Sequence, residues 1–308
     1  MKKLIVILGP TASGKTELSI KLARKFNGEI VSADSRQVYK GMDIGTGKIT
    51  KKEMKSIPHY LLDVASPKRR FTVAQYQKLA QKAIKEIQKK NKVPFLVGGT
   101  GFYIQSVVDG IVIPKVKPDW KLRTKLENKS IKELFLILTK LDPCRAKNID
   151  RNNPRRLIRA IEIVLKTKKP VPLFQKKPQQ FEVLIIGIKK SPEELKKLIK
   201  KRLLKRLKQG MIEEIKNLKK SDLSWKRLEE FGLEYRYIAR YLFTLQNFSK
   251  KNLGGQEKIN YEEMLENIQK ESEKFAKRQM TWFKRDKLIK WIEYYQEAEK
   301  LIKNFLKN

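Results

Sequence analysis

Gly9, Pro10, Thr11, Ala12, Ser13, Gly14, Lys15 and Thr16 are the residues of this chain whose types and spacing most directly specify chemistry. Glycine, four residues, then Gly-Lys-Thr is a pattern that cradles phosphate. Loop N–H groups and the start of a following helix meet the anion, the lysine adds a point charge, and the threonine hydroxyl can hold Mg²⁺. The flanks suit that use. The apolar run 3–8 reads as a buried parallel strand. Leu18, Leu22 and Phe26, four apart and stopped by Asn27 and Gly28, predict a helix over 17–26.

The loop alone does not fix the reaction. In ATP-splitting relatives of such loops a second strand ends in an acid that helps hold Mg²⁺. Here the strand expected at 93–97 ends in Gly98, Gly99, Thr100 and Gly101, glycines that suggest close approach of backbone to a ligand. The strand at 29–33 does end in an acid, Asp34, but Ser35, Arg36 and Gln37 follow it. That set suits reading a base more than holding a metal, and it counts against a plain ATPase.

Those residues must be positioned by the rest of the chain. Thr72 with Gln75 forms a capping box opening a helix to about Lys90, and the strand at 93–97 follows. Strand–helix–strand alternation implies a parallel sheet covered on both faces. From about Pro114 to Pro178 prolines punctuate short helices and no strand is evident. Ser130 with Glu133 caps one helix, and Pro154 starts another, on which Arg155 and Arg159 form a basic stripe. At 181–188 a strand returns. Ser191, Pro192 and Glu194 then start a helix running to Gly210, with Arg202 at the border of its apolar side. On spacing alone Arg202 fits either a surface arginine or an anion ligand. Asn260 with Glu263 opens a last long helix that carries Lys277, Arg278, Gln279, Met280, Thr281 and Trp282. Basic residues interleaved with aromatics suit RNA, but equally a core helix with a solvated face. A strand at 288–292 and a helix at 294–307 close the chain. The expected fold is α/β, a P-loop NTPase-like parallel sheet covered by helices, with residues 1–114 and 179–308 as the core and 115–178 as an inserted all-helical domain.

Composition narrows the partners. Lys and Arg number 71 against 33 Asp and Glu, a net charge of +38, which favours a polyanion, nucleic acid before anionic membrane. One cysteine, Cys144, and one histidine, His59, leave no disulfide and no Cys/His zinc set; His59 reads as a structural residue. No segment approaches the ~20 apolar residues of a membrane span, so a soluble cytoplasmic protein is expected, and nothing demands an oligomer.

Taken together, these stretches resemble the bacterial tRNA dimethylallyltransferase family. The resemblance rests on the loop 9–16, on Asp34 through Tyr39, Met42 through Thr46, Pro58 with His59, Val97 through Gly101, and Asn153 through Arg156. The run from Lys277 to Trp282 is the most discriminating. One departure is Gly232, Leu233, Glu234, Tyr235 and Arg236, where the family more often has Gly-Tyr-Arg. The resemblance implies transfer of a dimethylallyl group from its diphosphate to the exocyclic amine of the adenosine following the anticodon of a tRNA. It implies Asp34 as general base, Thr11 beside the reacting carbon, and Arg202, with Lys15, Thr16 and Mg²⁺, on the diphosphate. It implies tRNA contacts at Asp34, Ser35, Arg36, Gln37, Thr100 and Arg123 (Lys121 if the helix start slides by two). Further contacts fall at Arg155, Arg156, Leu157, Ile158, Arg159, Lys277, Arg278 and Gln279, with the helical insertion clasping the anticodon arm. Three other readings are a prenyltransferase for free adenine nucleotides, a nucleoside-type kinase, and a non-catalytic RNA-binding protein.

Overall fold

Leu4, Ile5, Val6, Ile7 and Leu8 leave no polar side for water, so the strand they form has to be covered twice. The computed structural model, which describes residues 2–172, 180–246 and 260–307, shows how. The strands are β1 (Lys2–Leu8), β2 (Gly28–Ala33), β3 (His59–Tyr60), β4 (Val93–Gly98), β5 (Phe181–Ile188) and β6 (Lys290–Ile292). They form one sheet in the order β3-β2-β4-β1-β5-β6, parallel throughout. Alternation along β1 sends Leu4, Val6 and Leu8 into the core on one face and Ile5 and Ile7 into the core on the other. The parallel α/β sheet expected from the sequence is present.

The described residues separate into two units, one holding residues up to 109 with those from 180 onward, the other beginning at Gly110. In the first, α1 (Lys15–Lys25), α2 (Val73–Lys89) and α3 (Gly101–Val108) follow β1, β3 and β4 in turn. The helix expected over 17–26 starts two residues earlier, because Gly14 in left-handed conformation turns the chain directly into it. The Thr72 capping box forms as the sequence predicts. In the second unit come α4 (Trp120–Glu127), α5 (Ile131–Leu141), α6 (Pro143–Asn148) and α7 (Pro154–Thr167), around Leu126, Leu134, Leu138, Leu157 and Ile161. This second unit starts at Gly110, where α3 has closed on Asp109 and Gly110, at φ 58°, turns the chain away. Its expected end at 178 lies outside the described residues.

Back in the first unit, α8 (Pro192–Lys208), α9 (Met211–Lys220), α10 (Trp225–Glu230), α11 (Leu233–Gln246), α12 (Tyr261–Phe283) and α13 (Tyr295–Lys307) complete the cover. Side chains of α2, α9, α11 and α12 pack with Leu4 and Val6, whereas Ile302 of α13 and Leu22 of α1 pack with Ile5 and Ile7. The carboxyl ends of β1, β2 and β4, three neighbouring strands, therefore deliver the loops starting at Gly9, Asp34 and Gly99 to one edge of the sheet. Because β4 is threaded between β1 and β2, the strand order reverses there, the place where open α/β sheets bind ligands.

β2 and β4 touch so closely at that edge that a Cβ on Gly98 would stand 2.2 Å from the Ala33 carbonyl oxygen. Gly98→Ala should lower unfolding free energy by about 1–3 kcal/mol, read from urea denaturation. Unchanged stability would show that the two strand ends separate freely.

Candidate active site

The first loop is built to receive an anion. It turns through Ala12, at φ 62°, and Gly14, at φ 86°, and the Ser13 N–H closes it on the Pro10 carbonyl at 3.3 Å. Gly14 caps α1 without any side-chain hydrogen bond, so the first N–H groups of the helix keep their donors for an incoming group. Lys15 folds over the loop, its Nζ 2.6 Å from the Pro10 carbonyl and 3.5 Å from Ser13 Oγ. Burial, then the charge of Arg202, lowers its pKa to about 7, partly offset by Asp34. Those three charges thus lie within electrostatic reach of one another.

The second loop fixes Asp34. Its Oδ1 accepts the N–H of Arg36 at 2.8 Å and of Gln37 at 3.3 Å, while Oδ2 has no hydrogen-bond partner among the described residues. Thr100 ties this loop to the end of β4: its Oγ1 accepts the Ser35 N–H at 3.0 Å, and its own N–H donates to Ala33 at 3.1 Å. Arg36 is held by the Phe231 carbonyl at 2.7 Å, and burial lowers its pKa. Gln37 reaches the carbonyls of Thr46 and Gly47.

The third loop answers the question raised by its glycines. The backbone here approaches protein closely: a Cβ would strike Ala33 backbone at 98, Gln279 at 99 and the Trp282 ring at 101. Gln279, buried on α12, accepts the Thr11 N–H at 2.8 Å through Oε1 and donates from Nε2 to the Gly99 carbonyl at 2.8 Å. It straps two loops together and does not face solvent, whereas Lys277 and Arg278 beside it are exposed. With Lys274, Thr281, Trp282 and Arg285 these two line a surface groove, edged where Phe102 meets Trp282 at 6.5 Å.

Arg202 completes this cluster. Its guanidinium donates to the Gly47 carbonyl at 3.4 Å and makes no ion pair among the described residues. Burial, then the charge of Arg206, pushes its pKa down to about 10. Arg206, one turn on, is paired with Glu234 at 2.7 Å. Lys15 and Arg202 are thus half-buried cations with no carboxylate ion pair among the described residues, which is costly unless an anion is the intended company.

The second unit holds the remaining predicted residues. Buried Glu162 gathers Arg123 Nε and NH2, at 2.8 and 2.6 Å, the Asp119 N–H at 2.6 Å, and the Arg159 guanidinium. Burial raises its pKa, but these hydrogen bonds outweigh that and leave it below the ordinary carboxylate range. Arg123 and Arg159 are brought together on one anion, while Arg155 and Arg156 are exposed. Leu157 and Ile158 are core residues, 0% and 6% exposed, so their side chains are closed to a ligand.

Sequence reasoning missed Glu162, Arg206, Glu214 and Glu234. A signal existed for two of them. Glu162 interrupts the apolar side of α7, and Arg206 lies four residues after Arg202 between Leu203 and Leu207. Nothing local marks Glu214 or Glu234, whose partners are remote in sequence.

Comparison with known proteins agrees with this geometry. The profile of the IPP transferase family matches residues 37–286. A tRNA dimethylallyltransferase of Halothermothrix orenii is 41% identical, covering 98% of this chain and 93% of that protein. The crystal structure of the full-length tRNA isopentenylpyrophosphate transferase of Bacillus halodurans superposes with a TM-score of 0.69 at 32% identity, covering 100% of this chain and 96% of that one. A eukaryotic dimethylallyltransferase acting on tRNA gives 0.73 at 29% identity over 92% of this chain and 70% of that one. With the phosphate loop, the Asp34 loop and the Gln279 strap on one sheet edge, and a full-length match at this identity, the chain belongs to the IPP transferase family, the tRNA dimethylallyltransferases.

Proposed function

We propose that the three loops at the sheet edge are the place where this chain performs its family's reaction, the prenylation of a tRNA adenosine. A dimethylallyl group passes from its diphosphate to the exocyclic amine of the adenosine beside the anticodon. The observation that carries the assignment is the meeting of two half-buried cations that make no ion pair among the described residues, Lys15 and Arg202, with the Asp34 carboxylate.

The amine is a weak nucleophile because its lone pair is spread into the purine ring. Asp34, with Oδ1 fixed by two N–H groups, offers Oδ2 to orient the amine and take its proton. As the new N–C bond forms, the C–O bond to diphosphate breaks, and the leaving group departs with that electron pair. Lys15, Arg202 and the loop N–H groups stabilise its growing charge. The Thr11 hydroxyl stands on the same loop, beside the reacting carbon. Mg²⁺ fits the donor set modestly: the exposed Thr16 hydroxyl is one ligand, and the described residues hold no acidic cluster for a metal, so phosphate oxygens and water would fill the rest, as Mg²⁺ favours. Bound there, it would neutralise charge on the diphosphate. No nucleotide hydrolysis is required.

The adenosine must leave its stack to reach Asp34. Ser35, Gln37 and Thr100 surround that carboxylate, while Lys277, Arg278, Arg155 and Arg156 present exposed charge for tRNA phosphates, as the +38 net charge favours. Among the described residues no helix is long and apolar enough to cross a membrane.

Asp34→Asn should reduce labelled dimethylallyl transfer to tRNA about 10²–10⁴-fold while tRNA still binds; a variant as fast as wild type would remove the base from Asp34. A second check concerns pH. Below pH 7 Lys15 is charged with or without ligand; above it, binding a diphosphate must draw a proton onto Lys15. Affinity for dimethylallyl diphosphate should therefore fall as pH rises past 7, by up to about tenfold per unit, and Lys15→Met should bind more weakly with a flatter profile. Parallel profiles would rule out Lys15 as the titrating group. Finally, Lys277→Ala with Arg278→Ala should lower the salt slope of tRNA binding by about two and leave the diphosphate KM alone; an unaltered slope would move the tRNA elsewhere.

A further inference from the structure

Beneath the site, a set of polar groups holds the loop 42–48 and touches no reacting atom. Glu214, in the first turn of α9, accepts the N–H groups of Asp43, Ile44 and Gly45 at 2.8, 2.6 and 3.0 Å. It also accepts the Tyr235 hydroxyl at 2.7 Å. Four donors fill the acceptor capacity of one carboxylate. Arg206 grips the same loop from α8 through the Gly45 carbonyl at 3.0 Å. The far side of the loop faces the site. There the Gly47 carbonyl accepts Arg202 at 3.4 Å and Gln37 Nε2 at 3.2 Å.

The fit leaves little room. Gly47 has φ 60°, and a Cβ on it would lie 2.0 Å from Arg202 NH2 and 2.6 Å from Arg206 NH2. The backbone is thus pressed flat against two guanidinium groups. Glu234 neutralises Arg206, so Arg202 keeps its charge for a ligand and has the Gly47 carbonyl as its hydrogen-bond partner. If the loop shifts, Arg202 shifts with it.

We propose that Glu214 is a positioning residue for diphosphate binding: it locks the backbone of residues 43–47, and through the Gly47 carbonyl sets where Arg202 stands. This rests on the reading of Arg202 as a diphosphate ligand. It also gives the departure at 232–236 a use, since Glu234 quenches Arg206, while Tyr235 completes the Glu214 shell.

The test is a double-mutant cycle of Glu214→Gln with Arg202→Lys, read by KM for dimethylallyl diphosphate, by kcat and by tRNA affinity. Glu214→Gln alone should raise that KM about tenfold, the scale of one charge-assisted hydrogen bond, and leave tRNA affinity unchanged. In the Arg202→Lys background the same change should add less than about twofold, because acting through one group makes the effects non-additive. Equal effects in both backgrounds would make Glu214 a merely structural residue and overturn the proposal, as would an unchanged KM. Should Glu214→Gln not fold, Tyr235→Phe removes a single hydrogen bond and gives the same pattern at smaller amplitude. If Arg202→Lys itself leaves the diphosphate KM unaltered, the reading of Arg202 falls and this proposal with it; if only the coupling is missing, Arg202 stands and Glu214 alone is wrong.

Discussion

Two positive charges drawn partly out of water, with no carboxylate ion pair among the described residues, set the terms for the site. Burial, then the charge of Arg202, pushes the Lys15 pKa down, and burial, then the charge of Arg206, does the same to Arg202. A fold that half-buries such a pair has to hold it by other means. Lys15 is held by a loop carbonyl and a serine hydroxyl, and Arg202 by a loop carbonyl. Carbonyl dipoles tolerate a cation without neutralising it, so the charge stays available to an anion.

That solution moves the burden to the loops. Each of the three at the sheet edge is tied to a neighbour by side-chain to backbone hydrogen bonds. Thr100 joins the Asp34 loop to β4, Gln37 joins it to the 46–47 carbonyls, and Gln279 joins the phosphate loop to Gly99. Gln279 suits its place because an amide presents one acceptor and a donor side by side, and here it meets one N–H and one carbonyl. A glutamate there would face the Gly99 carbonyl with like charge. A polar residue in a basic helix can therefore serve the interior, and the neighbouring Lys277 and Arg278 remain outside.

Where function was legible in the sequence, it was carried by short contiguous runs. The phosphate loop, Asp34 at a strand end and the cap at Thr72 could be read because spacing along the chain determines their local geometry. β3, two residues long, gave no periodic signal, and α9 to α11 follow so closely that their apolar spacing blurs. The glycines at 98, 99 and 101 were visible, but what they approach was not, since Ala33, Gln279 and Trp282 arrive from far along the chain. The same holds for Arg123 and Arg159. Both could be seen as basic, yet only the fold shows that a buried glutamate binds both, while Arg155 and Arg156 lie exposed, Arg156 beside Asp150.

The sheet's strand order bears on how the chain is made. β1 leaves the ribosome first, and its partners are β4 and β5, with Lys2 beside Phe181. Between them runs the whole second unit, whose core draws on its own helices. During synthesis that unit has every partner it needs before β5 exists, while β1 waits with one edge bare. Pairing between such distant segments is the slow kind, and an unpaired apolar strand is a site of mispairing in the meantime. The order of residues along the chain thus lets the helical part form before β1 gains β5, and before Arg202 and Gln279 reach the loops of β1, β2 and β4.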